Sequence, residues 1–282
     1  MSAHFSFALI IYIALALISF ASSAQKVTWL TFDFPPYYIV EGPDKDKGRD
    51  ELIIELIARQ LPDYQFEKTR MPSSRVIEAV SKSSNRYCIL SIYNTPTRQK
   101  QITFTDNFST LGLAPAIIMS ADLKVATSVR NTGVISLAYL LQREYRLGMP
   151  SGRSYSVPLD KIITSEQFQQ QIHVRYGTDH LQNLFKMMLS GRIHMILGYP
   201  DELMYLADEL QVREQVMLMK LSEAEAMSKG YIGCSKNDWG EAVIRDLDKA
   251  MATVHQQGSY KKILKYWLAE DVSELVDAYL HE

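Results

Sequence analysis

The chain has 282 residues, with 30 Lys and Arg against 32 Asp and Glu and a formal net charge of -2. No basic run exists, so the electrostatic footprint of nucleic-acid binding is absent. The spacing of Cys88 and Cys234 excludes a compact all-cysteine metal site, and His173, His180, His194 and His255 are scattered without metal-ligand spacing.

Residues 5–20 carry no charge and are almost wholly apolar, and Ala21-Ser22-Ser23-Ala24 follows. This predicts a signal peptide over 1–24, with the mature chain starting at Gln25. The alternative is an uncleaved anchor, for which the run is short against a span of about 20 residues. No cysteine stands at the cleavage point, so no lipid anchor is expected. The mature protein is expected to be soluble and periplasmic. In such a compartment a Cys88–Cys234 disulfide is the default, with two buried free thiols as the alternative.

The mature chain alternates strand and helix signals. Residues 27–32 are rich in β-branched and aromatic types and predict a strand, broken by Pro35-Pro36. Asp50 is expected to cap a helix striped by Ile53, Leu56, Ile57 and Leu61 and ended by Pro62. Strands are predicted over 64–69 and 87–92, with a helix over 72–82 between them. An apolar strand is expected over 113–119, after which the alternation restarts. Helix 133–144, strand 145–149, a helix opened by Ser154 or Ser156, and strand 172–176 follow. Thr178 is expected to cap the next helix, Gly191 to end it, and strand 193–197 to come after. A short strand over 231–234 leads into a long helix striped by Val243, Leu247, Ala250, Met251 and Val254, and Gly258 separates it from a last one. This alternation argues for mainly parallel sheets with helices on both faces, and the restart argues for two lobes. Ligands in such folds sit outside the carboxyl ends of strands or between domains.

Five motifs in order resemble one family. They are Asp33-Phe34-Pro35-Pro36-Tyr37 with Gly48-Arg49-Asp50; Thr95-Pro96-Thr97-Arg98 with Ile102-Thr103-Phe104-Thr105-Asp106; Gly148-Met149-Pro150-Ser151-Gly152-Arg153-Ser154; Gly191-Arg192-Ile193; and Gly258-Ser259-Tyr260-Lys261-Lys262-Ile263 before Trp267. From about residue 27 to 268 the chain resembles the family 3 periplasmic solute-binding proteins, the polar amino-acid receptors of bacterial ABC transporters. The resemblance implies an α/β, type 2 periplasmic-binding fold: two α/β lobes joined by two hinge crossings, near 109–114 and 226–231, with a ligand cleft between them. Lobe I is expected over 25–112 plus 229–282, and lobe II over 113–228. The strands of Cys88 and Cys234 would lie side by side in one sheet, which implies that the two cysteines are bonded.

The resemblance places Arg98 against a ligand carboxylate, where a planar guanidinium bonds bidentately. Tyr93 and Thr95 precede it. Ser151, Arg153 and Ser154 surround Gly152 at a predicted helix start, whose unpaired N–H groups attract anions. Tyr37 and Tyr38 are each either an aromatic wall of the cleft or core. Tyr199 stands where amino-acid-binding members carry the acid that holds the ligand ammonium, and His194 stands where an acid often occurs earlier in that strand. The expected function is capture of a small anionic or zwitterionic ligand by hinge closure, for uptake through an inner-membrane ABC permease. A sensor module for a separate signalling partner is the alternative, and a cyclohexadienyl-dehydratase-like enzyme on the same fold is another. No catalytic residue, metal or cofactor is expected, and the protein is expected to be a monomer without a nucleic-acid partner. No Gly-x-Ser-x-Gly, His-Glu-x-x-His or phosphate-binding glycine loop occurs.

Overall fold

A computed structural model describes residues 25–125, 133–177 and 180–266. The expected leader, the Thr178 cap and Trp267 lie outside the described residues. Two sheets organise the chain. The first takes β1 (Gln25–Thr31), β2 (Tyr64–Arg70), β3 (Tyr87–Ile92), β4 (Ile102–Leu113) and β11 (Met227–Ser235), in the order β2-β1-β3-β11-β4. The second takes β5 (Ala116–Ser120), β6 (Val134–Ile135), β7 (Leu147–Pro150), β8 (Ile172–Arg175), β9 (Met195–Gly198) and β10 (Val216–Leu221), in the order β6-β10-β5-β9-β7-β8. Strand β1 runs parallel to β2 and β3, and β7 runs parallel to β8 and β9. Strand β11 returns antiparallel between β3 and β4.

Helices cover both faces of each sheet, which is why the strands read as apolar runs. In β1, Val27 and Trp29 enter one core and Leu30 the opposite one. In β5, Ile117 and Met119 face one side and Ile118 the other. The first sheet packs against α1 (Arg49–Gln60), α2 (Ser73–Ser81), α8 (Asp238–His255) and α9 (Gly258–Lys265). The short α3 (Pro96–Gln99) stands at the end of β3. Around the second sheet lie α4 (Leu137–Gln142), α5 (Val157–Ile163), α6 (His180–Leu189) and α7 (Pro200–Glu209).

Several elements differ from expectation. The apolar run 113–119 is not one strand, because the backbone turns at Ala114-Pro115 between β4 and β5. Strand β4 begins at Ile102 and carries Thr103, Thr105, Asp106 and Asn107 in its first half, and these polar residues hid its extent. The Thr105 hydroxyl donates to the Asn107 carbonyl and accepts from the Ile232 amide, and the Asn107 amide donates to Asp248, so partners distant in sequence satisfy them. The predicted helix 133–144 divides into β6 and α4, capped by the Ser136 hydroxyl. Asp50 is not a cap: Gly48 precedes the helix, and the Glu51 carboxylate accepts from the Gly48 amide at 3.0 Å. Asp50 is fully buried and receives Arg49 Nε at 3.0 Å.

Cys88 and Cys234 form a disulfide. They sit directly opposite in the β3/β11 register, so one bond staples the returning strand to the first sheet.

Candidate functional site

Four chain segments converge on one cavity, and each follows the carboxyl end of a strand in a parallel pair. Phe32, Phe34 and Tyr37 follow β1; Tyr93 and Arg98 follow β3; Gly152, Arg153 and Ser154 follow β7; Tyr199 follows β9. The backbone there has left the ladder, and the side chains line one space between the two sheets. The cavity measures about 90 Å³. A second, larger cavity of about 390 Å³ adjoins it beside the chain crossings and shares Tyr93, Ser228 and Lys229 with it.

Local backbone geometry aims these groups. Strand β3 carries one extra residue against β11: Tyr231 opposes Ile92 while Gly233 opposes Ile89. Ser91 takes φ +60° at that point, so Ile92 falls on the same face as Ile89 and the chain swings toward the cavity. Gly230 on the neighbouring strand leaves room for this bulge, since a Cβ there would stand 2.7 Å from Ser91 Cα.

Arg98 is half-buried on α3. Its Nη1 donates to the Tyr93 carbonyl at 3.2 Å, and the Thr95 hydroxyl accepts from its amide at 3.3 Å. No carboxylate pairs with its guanidinium among the described residues. Burial lowers its pKa, with Tyr199, Asp160 and Tyr93 acting in opposition. Asp160 is itself held by the Ser154 hydroxyl and by the Tyr155 amide at 2.8 Å.

Arg153 differs from Arg98. It pairs with the buried Glu202 and stacks over the Phe34 ring at 4.4 Å. Glu202 also accepts from the Tyr199 amide at 2.9 Å. The Tyr199 hydroxyl donates to the Ser154 carbonyl at 3.2 Å, and its ring meets Tyr37 edge-on at 6.2 Å. Across the gap, Tyr37 donates to Asp201 at 3.3 Å, and Arg49 lies 4.1 Å over the Tyr37 ring. Burial pushes the Asp201 carboxyl up to about 6, opposed by Arg49 and the Tyr37 hydrogen bond and reinforced by Glu202.

Of the residues singled out from sequence, Arg98, Tyr37, Tyr93, Arg153, Ser154 and Tyr199 line the cavity together. Thr95 lines the adjoining cavity. Tyr38 lies in the first core, and Ser151 is buried with its amide donating to the Arg175 carbonyl at 2.9 Å. Arg49, Ser73 and Lys229 also line the cavity and were not singled out. Arg49 had a signal: a lone arginine at the start of an apolar helix, next to an aspartate. Ser73 and Lys229 had none. Chemically, the cavity offers cations, hydroxyls and aromatic faces. No group of His, Cys, Asp and Glu suited to a metal occurs among the described residues.

The profile of the bacterial extracellular solute-binding proteins, family 3, matches residues 29–270. No curated protein matched the chain in a sequence comparison. Solved structures did. The substrate-binding protein of an amino-acid ABC transporter is 17% identical with a TM-score of 0.64, covering 86% of this chain and 99% of its own. A Salmonella typhimurium periplasmic binding protein of high arginine specificity is 15% identical with a TM-score of 0.64, covering 87% and 100%. A histidine kinase sensor domain with similarity to periplasmic binding proteins is 16% identical with a TM-score of 0.67, covering 87% and 96%. At these identities the likeness establishes the fold, that of type 2 periplasmic-binding proteins. With the profile spanning most of the sequence, the chain belongs to the bacterial extracellular solute-binding proteins, family 3.

Proposed function

We propose that the protein is an exported receptor that captures a small anionic or zwitterionic solute between two lobes, 25–112 with 229–282 and 113–228, and presents it for ABC-type uptake. The observation that carries this reading is Arg98: a half-buried guanidinium without a carboxylate partner among the described residues, at a cavity whose other wall is Gly152, Arg153 and Ser154. A buried cation in that setting is complemented by an anion entering with the ligand. The facing segments touch only when the gap is closed, so a ligand reaching both stabilises the closed form. The reading is one of binding without catalysis, supported by acids around the gap that are each held by an arginine, a tyrosine or a helix-start amide. Incubation with cyclohexadienyl acids is expected to leave them unchanged.

The test is calorimetry on the mature protein with a panel of amino acids, carboxylates and short peptides, followed by Arg98→Ala and Arg98→Lys. The ligand that binds wild type should lose more than about 2 kcal/mol of affinity in Arg98→Ala, because its anion is left buried and unpaired. Arg98→Lys should lose less, since charge stays while the planar fork goes. Undiminished affinity in Arg98→Ala refutes the reading. A separate signalling partner is the second reading, favoured by the likeness to a kinase sensor domain. Ligand-stimulated ATPase activity of the cognate permease in vesicles would decide for uptake.

A further inference from the structure

The charges around the cavity are unequal in availability. Arg49, Arg98, Arg153 and Lys229 line it, and no carboxylate does among the described residues. Arg49 is already matched to Asp50, and Arg153 to Glu202. Lys229 is exposed and rests over Phe108. One enclosed cation, Arg98, is left for a ligand. The nearby acids Asp50, Asp160, Asp201 and Glu202 each hold a group of the protein and are not part of the lining; of the two acids at the adjoining cavity, Glu223 holds the start of α4 and Glu225 is exposed. The remaining lining is uncharged: aromatic and aliphatic side chains, including Phe32, Val76, Ile77 and Leu113, and hydroxyl-bearing ones, Ser73, Ser91, Tyr93, Thr110, Ser154, Tyr199 and Ser228. By the measure in which one water needs about 10–15 Å³, this cavity admits about six to nine non-hydrogen atoms.

Resting on the reading of Arg98 above, we infer that the site takes a small monocarboxylate with an uncharged body and discriminates against α-amino acids. One unmatched guanidinium suits one anionic group. An ammonium in this cavity would meet cations at its wall and no carboxylate, and would lose its water without replacement. A second carboxylate would find only arginines already neutralised by the protein's own acids.

The experiment is titration calorimetry on the mature protein with matched pairs: 3-methylbutanoate against valine, 4-methylpentanoate against leucine, with benzoate and glutarate added. The amine-free monocarboxylate is expected to bind about ten- to a hundredfold more tightly than its amino acid, and glutarate more weakly than 4-methylpentanoate. Binding of the monocarboxylates should vanish in Arg98→Ala, with a thermal melt showing that this variant is folded, and fall partway in Arg98→Lys. If valine or leucine binds as tightly as its partner and both depend on Arg98, the exclusion of the ammonium is overturned while the carboxylate reading stands. If no monocarboxylate binds, the ligand class is wrong. If monocarboxylate binding survives Arg98→Ala, the carboxylate reading itself fails.

Discussion

Arg98 and Arg153 carry the same side chain into the same cavity, yet their surroundings give them different chemistry. Arg153 is neutralised by Glu202 from the segment after β9 and flattened on Phe34, so it positions a wall. Arg98 keeps an uncompensated charge toward the cavity. Asp201 is a third case, a carboxylate whose partners Tyr37 and Arg49 belong to the facing segment. Its pKa is raised from 3.8 to about 6. A raised carboxyl pKa means that the folded protein binds the extra proton between those values. Stability then rises as pH falls through about 6 and is lost as pH climbs back. Thermal melts of wild type and Asp201→Asn from pH 4.5 to 7.5 should therefore diverge. The asparagine variant gains relative stability at pH 7 and loses that advantage at pH 4.5, and parallel pH profiles would refute the burial of Asp201. Half-buried His194 and His255, both lowered by desolvation, contribute the opposite slope in both proteins and cancel in the comparison.

At the scale of elements, the turn after β7 is decided by its contact with the start of α2. Gly152 takes φ +76°, and a Cβ there would stand 3.3 Å from Ser74 Cα. The glycine thus serves the approach of one protein segment to another. Gly152→Ala is expected to cost about 1 kcal/mol from the left-handed backbone alone. If the two segments meet only when a ligand closes the gap, as proposed above, the contact with Ser74 adds a penalty to binding. Ligand affinity should fall about tenfold, while calorimetry showing unchanged affinity would mean that closure does not bring residue 152 against Ser74. The bulge at Ser91 belongs to the same scale. It spends one residue of β3 to re-aim Ile92 and the segment carrying Tyr93 and Arg98.

For the whole molecule, the chain passes from the first sheet to the second at Ala114-Pro115 and returns after β10 into β11. Strand β11 therefore completes a sheet whose other strands were made more than 110 residues earlier. The disulfide closes that long excursion, joining positions 146 residues apart. In the chain-entropy model a loop of this size is worth about 4–5 kcal/mol. The double substitution Cys88→Ala, Cys234→Ala should lower the unfolding free energy in denaturant by about that amount. Neither cysteine lines the cavity, so ligand affinity should hold. A loss below about 1 kcal/mol would mean that the β11 pairing is already secured by its ladder and core.

Sequence alone determined the alternation of strands and helices, because two-sided burial forces apolar runs such as those of β1, β5 and β9, and turns announce themselves through Pro35-Pro36, Gly191 and Gly258. It also marked Arg98 and the Ser151–Ser154 turn, whose residue types suit an anion wherever they are placed. Strand β4 stayed hidden because polar residues that bond along a ladder look like loop. Tertiary structure decided which charges are spent. The pairing of Tyr37 with Asp201 spans 164 residues, and that of Arg153 with Glu202 spans 49. No local pattern records such pairs, because a Coulomb partner is chosen by distance in space after the sheets have packed, and distance along the chain says nothing about it.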